Sequence, residues 1–304
     1  MINIMLHLVL LLVFPLLFPS LINRVKARIA GRQGPSLRQF GWDLRRLFRK
    51  GQVISHDTTW IFQVAPTVNL ATVLFAGLLV PMGKQPPLVS FPLDFVFFAY
   101  LLGFGKFFMI LAALDTGSPF EGMGASREAT FSALIEPSFF ILIGTLTLGS
   151  GQTSFARLFE LHTIAGPQVL LIYGLALVVL FLIILTEGSR VPVDDPNTHL
   201  ELTMIHEVMI LDHSGPDLGF IFYANALKLV VYSSLVSCFL VPSNQDWPLA
   251  YAVTIGTFIL IAISIGFVES IMARLRMTHV PMFLISSSVL SLLVLVVMTM
   301  EGSL

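Results

Sequence analysis

The chain has 304 residues, 56% of them hydrophobic and only 12% charged, with a mean hydropathy of +0.87. Soluble domains carry about a quarter of their residues as charges, so this composition excludes a soluble globular fold and assigns an integral membrane protein. The net charge of -1, from 17 Lys and Arg against 18 Asp and Glu, removes the basic excess of a nucleic-acid binder. The single cysteine, Cys238, excludes a disulfide framework, an iron–sulfur site and a cysteine zinc site. Any redox cofactor therefore belongs to a partner or is absent.

A membrane-crossing helix needs about 20 mostly apolar residues. Eight runs qualify, at 2–22, 61–82, 91–115, 129–149, 168–187, 219–242, 249–268 and 281–300. They predict an all-α, eight-span protein, one membrane domain over 1–304, with amphipathic helices in its cytoplasmic loops. The first run has the position of a signal peptide, but no basic segment precedes it and an arginine-rich stretch follows, so it is read as a retained span. Pro15, Pro19, Pro66, Pro137 and Pro242 lie in or at the ends of spans, where neighbouring helices can satisfy the freed carbonyls. The loops at 23–60, 116–128, 188–218 and 269–280 hold 13 Lys and Arg, against only Lys84 and Arg157 in the others. The positive-inside rule places those four loops in the cytoplasm and both termini on the opposite side of a bacterial or archaeal inner membrane.

Three polar segments gather on that side. In residues 24–50, Gly34-Pro35 break the chain, and Leu37, Phe40, Leu44, Leu47 and Phe48 then recur as on a short amphipathic helix. Two readings fit it: an anchor on anionic lipid, or a docking surface for a peripheral protein.

Residues 115–137 combine Gly117, Gly122 and Gly124 in a loop with a helix start at Ser126 as N-cap, Glu128 favouring the positive helix end. Glu136 falls two turns into the fourth span. A carboxylate there costs about 2.5–3.5 kcal/mol on insertion scales. Either it is held neutral by a carbonyl or it lines a proton pathway. Lys106 and Lys228, in the third and sixth spans, are possible counter-charges.

Residues 187–217 hold seven acids (Glu187, Asp194, Asp195, Glu201, Glu207, Asp212, Asp217) and one arginine. Asp195-Pro196 reads as the start of a helix that ends at Gly215-Pro216. Glu201, Ile205, Val208 and Asp212 would share one face, and His199, His206 and His213 another. His206-Glu207 lacks the second histidine of HExxH, since position 210 is Ile210, so no metal site is expected. The histidines read instead as groups titrating near neutral pH beside carboxylates, or as one face of a solvated amphipathic helix. No phosphate loop, GxSxG or nucleophile–base pair is present, so no catalytic residue is expected in this chain.

These segments bring the sequence close to a known family. It resembles the membrane subunit of respiratory complex I that lines the quinone chamber, and more closely that subunit's counterpart in energy-converting nickel–iron hydrogenases and formate hydrogenlyase complexes. The resemblance rests on Arg28, Arg32, Gly34 and Pro35, on LDTGSPF…GASRE…EP over 114–137, and on FVESIMARLRM over 267–277. The loop between the fifth and sixth spans departs from the family's PFD, closely spaced glutamates and EYSG. Pro192-Val193-Asp194 keeps the proline and aspartate, and Asp212-His213-Ser214-Gly215 replaces the ending. Glu201 and Glu207 are candidates for the family's loop glutamates.

The resemblance implies a non-catalytic subunit of a multi-subunit oxidoreductase. Hydrogenase-like large and small subunits, carrying iron–sulfur clusters and in the hydrogenase branch a nickel–iron centre, would dock on Arg28, Arg32, Gly34, Pro35, Arg38, Arg45, Arg46, Arg274 and Arg276. Coupling to antiporter-like membrane subunits that move protons or sodium would pass through Asp115, Glu121, Glu128, Glu136, Glu187, Asp194, Glu201, Glu207 and Asp212, with Lys106 and Lys228. Two alternatives stay open: a quinone-binding subunit of an NADH:quinone oxidoreductase, against which the altered loop counts, and a stand-alone secondary transporter, which the missing paired helix interruptions disfavour.

Overall fold

The computed structural model describes residues 2–83, 85–159, 167–195, 204–241 and 246–302. Apart from one isolated bridge between Met82 and Gln85, the described residues contain helices and loops only. Ten α-helices follow in order: α1 Ile2–Val13, α2 Phe18–Ile29, α3 Gln39–Leu47, α4 Trp60–Leu79, α5 Asp94–Asp115, α6 Pro119–Ser150, α7 Pro167–Glu187, α8 Gly215–Leu240, α9 Trp247–Ile271 and α10 Val280–Gly302. Seven helices, α4 to α10, are long and apolar enough to cross a membrane, and the bent pair α1–α2, counted as one span, brings the number to eight.

That first span is broken. Pro15 sits in a short 3-10 turn, Phe14–Leu16, Pro19 opens α2, and the two halves meet at 45°. Proline removes a helical N–H and clashes one turn back, which is where such kinks arise. The predicted span 2–22 therefore becomes two helices reaching to Ile29.

Helix α8 is the central post. It packs against α4, α7, α9 and α3, and most of its residues are buried, almost without a break from Ala224 to Phe239, as expected of a mostly apolar helix enclosed by others. Between α6 and α10 the contact is polar: Ser138 Oγ lies 2.6 Å from Ser287 Oγ and 2.8 Å from Ser288 Oγ, and Ser291 Oγ donates to the Ser138 carbonyl at 3.0 Å. Small hydroxyl residues let membrane helices approach closely while satisfying one another.

The four basic loops meet at one end of the bundle. Asp115 accepts from Thr59 N and Oγ1, Ser214 Oγ bonds Val53, and Leu275 N donates to the Pro192 carbonyl. At the other end Asn3 meets Gln85, and buried Asp94 accepts from Ser154 Oγ and Phe155 N at 2.6 and 2.8 Å.

Two loop expectations are corrected. The loop expected at 116–128 shrinks to 116–118, because α6 starts at Pro119 behind Ser118; Ser126 lies inside the helix, its hydroxyl donating to the Met123 carbonyl. At 32 residues α6 is about 48 Å long, well beyond a hydrocarbon core of about 30 Å. Nor is there a helix running to Gly215-Pro216. Residues 204–214 form a turn, a 3-10 helix Glu207–Ile210 and a second turn, and Gly215-Pro216 open α8, where proline's fixed φ suits the first helical turn. Its expected start at Pro196, together with His199, Glu201, Pro242 and Lys84, lies outside the described residues.

Candidate functional site

The site grows from one buried carboxylate. Glu187, the last residue of α7, is 8% exposed. Lys106 Nζ of α5 lies 2.7 Å from its Oε1, and Lys228 Nζ of α8 lies 3.7 Å from its Oε2. Lys106 also donates to Ser132 Oγ of α6 at 2.9 Å. Two ammonium groups on one carboxylate leave a positive excess, and the charges of Glu128 and Glu136 on α6 also act on Lys106. Four helices thus meet at an ion cluster that their apolar sequences cannot otherwise accommodate.

Above it the acidic loop is latched down. Asp194, 2% exposed, accepts from His206 N at 2.9 Å and Ile205 N at 3.3 Å through Oδ2, while Oδ1 accepts from Asp195 N at 2.9 Å and faces Arg274 Nη2 at 3.0 Å. Burial raises its pKa above the ordinary carboxylate value, against the pull of those donors. Beside it, Glu269 at the end of α9 holds Lys26 at 2.8 Å and Arg190 at 3.4 Å. Glu121 of α6 is fully buried and accepts from Asp212 N at 3.1 Å. Gly124, one turn on, lets Val208 and Met209 pack against the helix backbone.

The two described histidines of the loop, His206 and His213, do not titrate near neutral pH, contrary to the sequence reading. His206 meets Asn225 Nδ2 of α8, and burial together with the charges of Lys228 and Lys106 lowers its pKa to about 3. His213 stacks on Phe62 with ring centroids 4.0 Å apart and planes 6° from parallel, and burial lowers its pKa to about 4. Both rings remain neutral because the protein interior offers no solvation to an imidazolium.

Three cavities join these groups. One of about 400 Å³ lies between α2, α3, α8 and the loop, with Asp43, Arg46, Arg190, Asp194, His206 and Glu207 among its lining. A second, of about 10 Å³, is lined by Glu128, Glu187 and Asp194. The third, of about 30 Å³, is lined by Lys106, Glu136 and Glu187. A water needs about 10–15 Å³ of such space, so the second is sized for one water at most and the third for one or two. Asp194 is common to the first and second cavities, and Glu187 to the second and third. The side chain of Glu136 is exposed on the flank of α6.

The structure thus brings together Lys106, Glu128, Glu136, Glu187, Asp194 and Lys228, with Glu207 on the outer cavity. Asp115 stands apart, tying down the start of α4 through Thr59. Asp212 is exposed. Of the expected docking residues, Arg28, Arg32, Arg38, Arg45, Arg46 and Arg276 are exposed, whereas Arg274 is engaged by Asp194. Gly34 packs against the Arg24 backbone, where a Cβ would lie 2.7 Å from Arg24 Cα, with Pro35 following. Sequence reasoning missed Glu269, Arg190, Lys26 and Asn225; an acid closing an apolar span beside basic residues was the available signal for Glu269. Among the described residues no group of three or more His, Cys, Asp or Glu side chains is arranged to hold a metal ion.

Comparison with known proteins gives a consistent picture. The family model described as NADH dehydrogenase matches residues 2–300. Hydrogenase-4 component C of Escherichia coli K12 is 29% identical over 261 residues, covering 83% of this chain and 81% of that one. Formate hydrogenlyase subunit 4 of the same organism is 29% identical over 274 residues, 86% of each chain. An NADH-quinone oxidoreductase subunit of Rickettsia africae is 21% identical over 209 residues, 67% of this chain and 61% of that one. Among solved structures, a chain of the archaeal membrane-bound sulfane sulfur reductase, a respiratory membrane complex, has the same fold. Its TM-score is 0.81 at 18% identity, over 98% of this chain and all of that one.

Proposed function

Because the chain belongs to the NADH dehydrogenase family, we propose that it is the energy-coupling membrane subunit of a complex I-related, hydrogenase-type oxidoreductase complex. Its relatives in hydrogenase-4 and formate hydrogenlyase support that branch. The observation that carries the coupling role is the run of ionisable side chains from the loop cavity at Asp194, through Glu128, Glu187 and the two lysines, to Glu136 on the flank of α6. Carboxylates and ammonium groups this close in low dielectric titrate as a coupled set, so a charge change at one end shifts proton occupancy along it.

In this reading hydrogenase-like large and small subunits sit on the exposed arginines at the loop end, which faces the cytoplasm. Iron–sulfur clusters, and a nickel–iron centre where hydrogen is the product, reside in those subunits; the single cysteine here is buried in α8 and supplies no cluster ligand set. Antiporter-like membrane subunits take the flank where Glu136 emerges and move protons or sodium. The 400 Å³ cavity supports a second reading, in which a quinone enters beside Asp194 and His206; sensitivity to quinone-site inhibitors would select it.

The test of the assembly is mild-detergent affinity purification with mass spectrometry and metal analysis. Antiporter-like and iron-containing hydrogenase-like subunits are expected with the chain; a chain that emerges alone and iron-free overturns the assignment. Within the complex, Glu136→Gln is expected to abolish ion translocation in vesicles while donor oxidation continues, and undiminished translocation removes Glu136 from the pathway.

A further inference from the structure

Helix α3 separates two spaces. Phe40, Asp43 and Leu47 face the 400 Å³ polar cavity, whereas Gly41, Arg45 and Phe48 face an open groove of about 650 Å³ on the other side. The groove is walled by Leu12 and Leu16 of the first, bent span, Leu70 of α4, and Phe220 and Tyr223 of α8. Leu70 stands ten residues past Trp60, which places it about 15 Å down the helix axis. Tyr223 Oη donates to the Leu12 carbonyl at 2.8 Å, so its polar atom is already used. The trough thus runs from the loop end to bilayer depth along apolar side chains.

Its mouth is cationic. Arg45 and Arg49 line it, and they also belong to a shallow basic bowl with Trp42, Arg46 and Lys50 outside. The Arg45 guanidinium lies 5.5 Å from the centre of the exposed Trp42 ring. Asp43, the acid on this helix, is engaged by Arg46 at 3.1 Å and by Gln39. No acidic side chain pairs with Arg45 or Arg49 among the described residues.

We propose that this groove binds one anionic phospholipid, its phosphate between Arg45 and Arg49 and an acyl chain along Leu12, Leu16, Leu70 and Phe220. Arginine forks match phosphate oxygens, and an interfacial helix bearing Trp and Arg lies at headgroup level. A free anion would leave the trough unused. A soluble protein partner reaches the bowl but not Leu70. The assignment stands whether or not the chain serves a hydrogenase complex, and it separates Arg45 and Arg49 from the docking arginines Arg28, Arg32, Arg38 and Arg276.

The test uses the full chain, extracted with its partners and exchanged into nanodiscs of phosphatidylcholine with phosphatidylglycerol, with retained lipid read by native mass spectrometry. Wild type is expected to retain phosphatidylglycerol about tenfold or more over phosphatidylcholine, as two interfacial arginines allow. The Arg45→Gln/Arg49→Gln variant is expected to lose that preference, Arg45→Lys/Arg49→Lys to keep most of it as proof of folding, and Leu70→Trp to lower retention of both lipids. Equal retention of the two lipids by wild type, or an unchanged preference in the glutamine variant, overturns the proposal. So does binding of inorganic phosphate alone with the same arginine dependence, or loss of soluble subunits from the glutamine variant while its lipid stays.

Discussion

Replacing Glu187 with glutamine removes the one carboxylate that two buried ammonium groups share. At an effective dielectric of about 20, its contact with Lys106 at 2.7 Å represents about 6 kcal/mol and that with Lys228 at 3.7 Å about 4.5 kcal/mol of gross attraction. Most of that gross figure offsets the desolvation of the three groups, and one lysine of the variant can shed its proton. The net loss expected from stripping one partner from a buried pair is about 3–5 kcal/mol. At about 2 °C per kcal/mol for a chain of this size, that lowers the melting temperature in detergent by about 6–10 °C. Because the damage comes from stranded positive charge, Lys106→Met/Glu187→Gln should be less destabilised than the sum of its single variants by about 2 kcal/mol or more. Differential scanning fluorimetry of the four proteins reads both quantities. A Glu187→Gln melting temperature within about 2 °C of wild type, or strict additivity, would refute the account of this cluster.

Two further predictions concern the loop. The His213 imidazole has an ordinary pKa of 6.5 and a folded value of about 4, so between those values the unfolded chain binds the extra proton. The group's contribution is therefore intact above pH 6.5 and falls as the pH drops, by about 2 kcal/mol at pH 5. His213→Phe, which can keep the stack on Phe62, should flatten the fall in melting temperature between pH 7.5 and pH 5, and an identical slope in both proteins would count against it. At Gly124 a Cβ would lie 2.4 Å from Val208 Cγ1 and 3.0 Å from the Ile205 carbonyl oxygen. Gly124→Ala should therefore cost about 1–3 kcal/mol and speed proteolysis near Glu207, whereas Gly103→Ala, with nothing within 4 Å, should be neutral or stabilising.

Hydropathy is a local sum, and the spans were legible from it for that reason; their ends were not. Gly117, Gly122 and Gly124 all looked like loop residues, and Gly117 is one, turning the chain at positive φ between α5 and α6, but glycine's two uses, turning and close packing, leave the same mark in a sequence. At Gly124 the use is packing, and α6 runs through it. The same ambiguity affected Gly215-Pro216, which can close one helix or open the next. Lys106 and Lys228 were conspicuous as charges in apolar runs, yet their convergence on Glu187 depends on how α5, α7 and α8 pack, and that is a property of three distant segments together. Asp115 had the composition of a pathway residue, but its partner, Thr59, is 56 positions away, and only the fold shows that it closes a loop. His206 and His213 were misread because ordinary pKa values were assumed, and burial is not written in their spacing.

Helix α6 carries Gly124 against the acidic loop and Glu136 on its outer flank, with Pro137 immediately after. Proline gives no N–H to the Ala133 carbonyl, so the helix has a mechanical joint beside its exposed acid. The 13 residues from Gly124 to Pro137 form an arm of about 20 Å. A swing of about 5° at that joint moves its far end by about 1.7 Å. Val208 and Met209 pack on Gly124 at the far end of that arm, so movement of the loop towards α6 would meet the helix backbone directly. The loop contact at Gly124 and the proline at Pro137 thus lie on one helix, so the arm between them is the part of α6 that a displaced loop would press on first.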